Sequence, residues 1–469
     1  MNLLSSMGVL LLGVFPGALI VHLIWDDEDI AALLLKLFLG IGVGLGITSL
    51  EYFLYLLFFA GQHFFIYIQV GISLVVLLIS ISRGKIRYKI SFPRFQLKFW
   101  QLGLLVTVIL TIMFSTLGAL AVWNHRPSGT VDAYMIYNRT ARFVYRDQAN
   151  WLQSFSKQLD ITLQANYPLL IPLNIASGWN IIGHETNDVP LVFSGLFMFA
   201  CAGLFVSAIA MTKSIWHAGV GLIVLLNTTF FIMNGASQTA DVPLSFFILS
   251  TVALIYLYVY KQEPRLLILA GLTSGLAGWT KNEGELFIIS TFAALIISFF
   301  KRYSWRSLGL YLAGLIIPFA FILYFKLFLA PPADLLTNGF SQSIHQILDW
   351  PRHSTILNAF KSGILGFGES ELGIIPVLLI YAVIFNVAWN KRLQPAYMAI
   401  FLMLVFQMAG YYFIYLITPN SVDWQLTFSL NRLLLQIYLA FLFLFFVLGS
   451  DIQMVFNFKD KAKASENTA

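Results

Sequence analysis

A chain of 469 residues that is 59% apolar and 11% charged, with a mean hydropathy of +0.80, is too apolar for a soluble domain. Its formal charge of +6 is ascribed to membrane topology and implies no nucleic-acid partner, and a single cysteine, Cys201, excludes an intrachain disulfide. The composition therefore predicts an all-α polytopic membrane protein, since the alternating strands of about ten residues that build a membrane barrel are absent.

Apolar runs of roughly 17 to 25 residues each suffice to cross about 30 Å of hydrocarbon as a helix. In chain order the expected spans are 4–25, 31–59, 64–82, 101–123, 190–211, 217–236, 241–260, 266–280, 284–300, 307–329, 374–390, 395–418 and 433–450, about 13 transmembrane helices. The first, Met1 to Trp25, lacks the basic start and small-residue cleavage pattern of a signal peptide and is expected to be retained. Glu51 is a lone acid inside the second span, where a partner in the bundle interior and a functional role are equally open. Leu266 to Trp279 is marginally long enough to cross, and Gly271 and Gly275 have the small-xxx-small spacing that permits close helix packing.

Basic residues in short connections mark the cytoplasmic side. Ser82 to Trp100 carries Arg83, Lys85, Arg87, Lys89, Arg94 and Lys98, and alternation from it places the connections at Lys213, Lys261 and Arg265, Lys301 to Arg306, and Lys391 and Arg392 on that side. The acidic run Asp26-Asp27-Glu28-Asp29 falls there too, while acids weigh little in this bias. The amino terminus is then outside and the carboxy terminus inside. Residues 124–189, 237–241, 281–283, 330–373 and 419–432 all fall on the outer face.

The outer loop 124–189 is long enough to signal function rather than connection. With Val131 to Arg146 helical, Asp132, Arg139 and Arg146 stand seven apart and share one face. A carboxylate at a helix start stays ionised, which suits a base, with arginines available for a phosphate. The same spacing fits a helix cap with arginines on lipid headgroups. Tyr167-Pro168 and Ile171-Pro172 suggest a broken, re-entering approach to the membrane, because the residue before proline avoids helical geometry. Asp241, followed by Pro243, reads on its own as an N-cap. Lys281, between Trp279-Thr280 and Asn282-Glu283, either holds a phosphate or pairs with Glu283. Arg432, at the outer start of the last span, defies the inside bias, with headgroup snorkelling as the alternative. Histidines are scattered, no HxxxH, CxxC or glycine-rich phosphate loop occurs, and neither a metal nor another cofactor is indicated.

Taken in order, these stretches resemble a bacterial branch of the GT-C membrane glycosyltransferases, relatives of the protein O-mannosyltransferase and lipid A aminoarabinose transferase families. Val131-Asp132-Ala133-Tyr134-Met135-Ile136-Tyr137-Asn138-Arg139-Thr140-Ala141-Arg142 resembles that branch's Trp-Asp-Ala-x-x-Ile-Trp-Asn-x-x-Ala-Arg. Asn166-Tyr167-Pro168-Leu169-Leu170-Ile171-Pro172, Ala240-Asp241-Val242-Pro243, Trp279-Thr280-Lys281-Asn282-Glu283-Gly284 and Ser429-Leu430-Asn431-Arg432 follow as counterparts of its later motifs. Val131 stands for Trp, Gln164-Ala165-Asn166 for His-Pro-Asp, Gln425 for His and Asn431 for Asp, which removes several family bases or metal ligands.

The resemblance implies a GT-C-like core over residues 101–450, with outer loops 124–189 and 330–373, an amino-terminal transmembrane addition over 1–100, and a cytoplasmic tail, 451–469. It implies an inverting hexosyl- or pentosyltransferase that moves a sugar from a polyprenyl-phosphate donor to a glycan, lipid or protein acceptor, at the outer face of a bacterial plasma membrane. Asp132 would be the catalytic base, and Arg139, Lys281 and Arg432 would bind the donor phosphate. Asn138, Arg142, Tyr167, Asp241 and Glu283 would bind substrate or support the site. Two other classes fit the composition, a transporter or lipid flippase, and a polysaccharide polymerase or ligase with a lipid-diphosphate donor.

Overall fold

The structure is a computed structural model and describes residues 2–84, 97–156, 164–299, 305–332, 340–368, 373–454 and 456. The basic positions Lys85, Arg87, Lys89, Arg94, Lys301 and Arg302, and the tail from 457, lie outside the described residues. Among those described there are helices and no strand, as hydrocarbon demands of a chain whose backbone groups must bond internally.

Four long helices come first: α1 (Asn2–Ile24), α2 (Ile30–Phe59), α3 (Phe65–Ser82) and α4 (Phe99–His125). The polar loop follows with a widened π-type turn, Ala133–Tyr137, that runs into α5 (Asn138–Arg146), then a 3-10 stretch, Gln148–Phe155, and α6 (Leu170–Ile182). Next come α7 (Asp188–Ala210), α8 (Ile215–Leu226), α9 (Thr229–Ala236), α10 (Asp241–Lys261), α11 (Leu266–Thr280), α12 (Asn282–Phe299) and α13 (Trp305–Tyr324). A second widened turn, Phe325–Leu329, ends α13, and the chain closes with α14 (Phe340–Leu348), α15 (Trp350–Leu365), α16 (Ile374–Phe385), α17 (Gln394–Ile417) and α18 (Val422–Leu448).

Among the described residues ten helices are long and apolar enough to cross a membrane, or eleven when α8 and α9, bent by 72° at Asn227-Thr228, count as one span. The expected count of thirteen is not confirmed by this measure. Two of the apolar runs, α11 and α16, form helices of 15 and 12 residues, too short to cross by that measure. The run at 374–390 stops at Phe385 because Asn386, at φ 58°, turns the chain. The expected break at Ile171-Pro172 does not occur: Pro172 lies in the first turn of α6, where its missing N–H leaves no bond unmade.

Apolar on every side, α10 is buried along its whole length and forms the axis of the bundle, whereas α4 faces outward almost throughout. Packed on this axis, α2 also touches α1, α6, α7 and α11. Half-buried Glu51 on α2 has no ion-pair partner among the described residues. The last residue of α10, Lys261, pairs with Asp27 at 3.2 Å and Asp29 at 3.5 Å, and Arg265 reaches Asp26 at 3.8 Å. The acidic run thus shares a face with the basic residues that neutralise it. Asp241 stands at the other end of the same helix, about 30 Å away for 21 residues.

The closest helix crossing is that of α11 with α13. A Cβ at Gly271 would lie 1.9 Å from the Tyr311 carbonyl oxygen, and one at Gly314 1.9 Å from that of Ile268, so the two backbones are in direct contact. Gly271→Val is expected to cost roughly 3 kcal/mol or prevent folding, read as a fall in melting temperature of the detergent-solubilised protein. Gly103→Val, on the open side of α4 where nothing lies within 4 Å, leaves the melting temperature unchanged.

Candidate active site

The buried carboxylate of Asp241 organises the polar end of the bundle. It is the first residue of α10 and makes no capping bond, contrary to the expectation of an N-cap. Its side chain, 0% exposed, turns inward to three donors instead: Arg432 Nε at 2.7 Å on Oδ2, and Lys281 Nζ at 3.1 Å and Gln436 Nε2 at 2.8 Å on Oδ1. A carboxylate removed from water needs this number of partners to remain charged.

Each cation reaches a second acid. Arg432 Nη1 meets Asp132 Oδ2 at 2.5 Å, and Lys281 Nζ meets Glu283 Oε1 at 2.8 Å. The result is one chain of alternating charge, Asp132–Arg432–Asp241–Lys281–Glu283, drawn from the polar loop, α18, α10 and the break between α11 and α12. Lys281, 4% exposed, sits in that break with an extended backbone, φ −160° and ψ 156°, which points its side chain back into the bundle. Tyr411 donates to Gln436 Oε1 at 2.7 Å and so turns the amide to donate to Asp241. The Tyr167 ring lies 6.0 Å from Lys281 Nζ and covers the ammonium from the loop side.

Of the residues expected to meet here, Asp132, Tyr167, Asp241, Lys281, Glu283 and Arg432 do. Asn138, Arg139 and Arg142 do not join the ion-pair chain. Val131 to Arg146 is helical, but the widened turn at Ala133–Tyr137 rotates α5 relative to Asp132, so Asp132, Arg139 and Arg146 share no partner. Arg142 and Arg146 both pair with Glu185, and the hydrogen bond from Arg146 holds the Glu185 carboxyl below its ordinary range. Arg139 lies over the Phe143 ring at 5.8 Å, and its Nε and Nη1 have no partner among the described residues. Burial without a counter-ion pushes its pKa below the usual arginine range. Asn138 Nδ2 is 3.4 Å from both the Ser128 carbonyl and Gln238 Oε1.

Asn138 thus belongs to the dock that seats the loop. Thr130 N donates to the Ser237 carbonyl at 3.2 Å, Gln238 Nε2 to Pro127 O at 3.0 Å, and Trp123 Nε1 to Ala236 O at 3.1 Å. Gly129, at φ 76°, permits this approach, since a Cβ there would stand 2.7 Å from Ser237 O. Sequence reasoning missed Gln436, Tyr411 and Lys326. The signal for Gln436 is its place one helical turn after Arg432 on α18, and for Lys326 its isolation among Phe and Leu. Among the described residues no group of three or more His, Cys, Asp or Glu is placed to hold a metal ion.

Removing Asp241 takes from Lys281, Arg432 and Gln436 the buried oxygens they bond, although Glu283 and Asp132 still face the two cations. Asp241→Ala is expected to cost about 3 kcal/mol, whereas Asp132→Asn, at a side chain 33% exposed, costs under about 1 kcal/mol; melting in detergent measures both.

No curated protein and no solved structure matches the chain. Residues 166–325, about a third of the length, match the family model described as dolichyl-phosphate-mannose-protein mannosyltransferase. This segment contains Asp241, Lys281 and Glu283, with Asp132 and Arg432 on either side of it. With its many apolar helices the chain is an integral membrane protein, about a third of which is similar to this GT-C type glycosyltransferase family.

Proposed function

We propose that the protein transfers a sugar from a polyprenyl-phosphate donor to an acceptor hydroxyl with inversion, using Asp132 as base at the outer face of the membrane. The observation that carries this reading is the joining of Asp132, Asp241, Lys281 and Arg432 in one charged chain at one end of α10. The name of the matched family supports it, because it names a lipid-phosphate sugar donor.

Asp132 meets Arg432 through Oδ2 and a third of its side chain is open, so Oδ1 can face an incoming hydroxyl. In the proposed step the acceptor oxygen attacks the anomeric carbon as its proton passes to Asp132. The bond from that carbon to the phosphate oxygen breaks, and its electron pair leaves with the lipid phosphate. Negative charge grows on the phosphate as the bond breaks, so a fixed cation stabilises the transition state more than the ground state. Arg432, with a quarter of its side chain open beside Asp132, is the cation placed to touch the phosphate. Lys281 lies behind Asp241 and contributes through its charge and by holding Arg432's partner in place. Arg139, with two unbonded nitrogens, is a further phosphate ligand. Asp241 and Glu283 keep the cations oriented, Tyr167 covers Lys281, and Asn138 and Arg142 hold α5.

Supplied with labelled polyprenyl phosphosugar, membranes containing the wild-type chain are expected to transfer label to an extractable acceptor, and Asp132→Asn is expected to reduce this by about a hundredfold or more. Undiminished transfer by that variant, at equal expression, removes Asp132 as the base. A pair of single cysteines tests the orientation: on intact cells an impermeant maleimide should label Asn150→Cys, and Glu28→Cys only after permeabilisation. The reverse pattern would put the site on the cytoplasmic face.

A further inference from the structure

A second charged cluster adjoins the first. Lys326 lies in the widened turn Phe325–Leu329 that ends α13, between Phe325, which is fully buried, and Leu327 and Phe328, each 71% exposed. The turn is anchored by the Phe325 ring, 6.0 Å from that of Trp279 and 5.3 Å from that of Phe155. With its exposed neighbours on one side and the anchor on the other, the Lys326 side chain is directed along the polar end of the bundle. Its ammonium donates to the Asn166 carbonyl at 2.8 Å and to Asn282 Oδ1 at 2.6 Å, and forms an ion pair with Glu285 at 3.0 Å.

These three partners come from two elements, the loop before α6 and the start of α12. Asn282 and Glu285 lie in the first turn of α12, directly after Lys281 and on either side of Glu283. Asn166 precedes Tyr167, whose ring covers Lys281, and Pro168, after which α6 begins. One cation therefore fastens the turn that roofs Lys281 to the helix start that flanks it. An ammonium suits this task because it can donate to two amide oxygens while its charge attracts the Glu285 carboxylate, and charge-assisted bonds are stronger than neutral ones.

We propose that Lys326 is a positioning residue for the transfer reaction: its ammonium closes the Asn166–Pro168 turn onto the start of α12 and holds Tyr167 against Lys281. It touches neither Asp132 nor Arg432 and acts through the loop. This proposal rests on the functional reading above for its effect on catalysis, while the closure itself can be measured without activity.

The test uses the full-length protein in detergent or membranes, with the variants Lys326→Met, Lys326→Arg and Glu285→Gln. Amide hydrogen exchange of the peptide spanning 164–169 reads the closure. It should quicken about tenfold or more in Lys326→Met, remain within about threefold of wild type in Lys326→Arg, and stay near wild type in Glu285→Gln, which keeps both amide contacts. In the transfer assay Lys326→Met should raise KM for the lipid phosphosugar about tenfold with kcat within about threefold, and Lys326→Arg should restore it. Unchanged exchange in Lys326→Met overturns the proposal whatever the activity. Equal effects of Lys326→Met and Glu285→Gln overturn it too, because the ion pair rather than the clip would then matter. If exchange behaves as expected but the wild type transfers no sugar, the clip stands and the functional reading falls.

Discussion

A carboxylate with no exposed surface is the constraint on which the polar end of this protein depends. Asp241 cannot stay charged inside the bundle unless arginine, lysine and glutamine are all delivered to it, and they come from three separate parts of the chain. Meeting that demand sets the relation of α10 to α18 and forces the break between α11 and α12, where an extended residue turns Lys281 inward. Arg432, once held by Asp241, presents its other nitrogen to Asp132 and so fixes where the polar loop must begin. Asp132 is thereby placed by a second, fully buried acid, Asp241.

The apolar scaffold serves this arrangement by bringing backbones close. Where α11 crosses α13, glycine on each helix faces a carbonyl of the other, and the short α11 can then end below the surface with its terminal residues inside. That geometry explains why a cation and an acid in adjacent turns come to lie among aromatic rings rather than in water. The opposite end of α10 is plainer, with Lys261 and Arg265 neutralising the acidic run after α1 in partly exposed pairs. Its ion pairs are surface ones, of modest energy, and the contrast between the two ends is what marks one of them as the site.

Much of this was legible in the sequence, for a definite reason. A charge in an apolar chain is conspicuous, so Asp132, Lys281, Arg432 and the outer loop stood out before any coordinates. Partners far along the chain were not visible. Glu185 draws Arg142 and Arg146 away from Asp132, and no local pattern announces it; the widened turn at Ala133–Tyr137, which changes the phase of α5, leaves no mark in composition either. Asp241 looked like a cap because a cap and a buried acid at a helix start have the same sequence. Gln436 was passed over because an uncharged amide in an apolar helix carries little contrast. Thirteen spans are not confirmed for a related reason, since hydropathy records apolarity and not the turn at Asn386 that ends α16 or the short length of α11.

The bend between α8 and α9 has its own effect on how the protein can vary. With α9 bent by 72° from α8, the main-chain oxygens of Ala236 and Ser237 face the start of the polar loop and receive Trp123 and the Thr130 amide. A seat made of peptide oxygens is supplied by any amino acid, so the anchorage itself does not depend on which side chains stand at 236 and 237, although both are buried for packing reasons of their own. Homologues could therefore keep the same loop placement with little residue identity in this stretch, and recognition of distant kin would do better to look for the angle than for the letters.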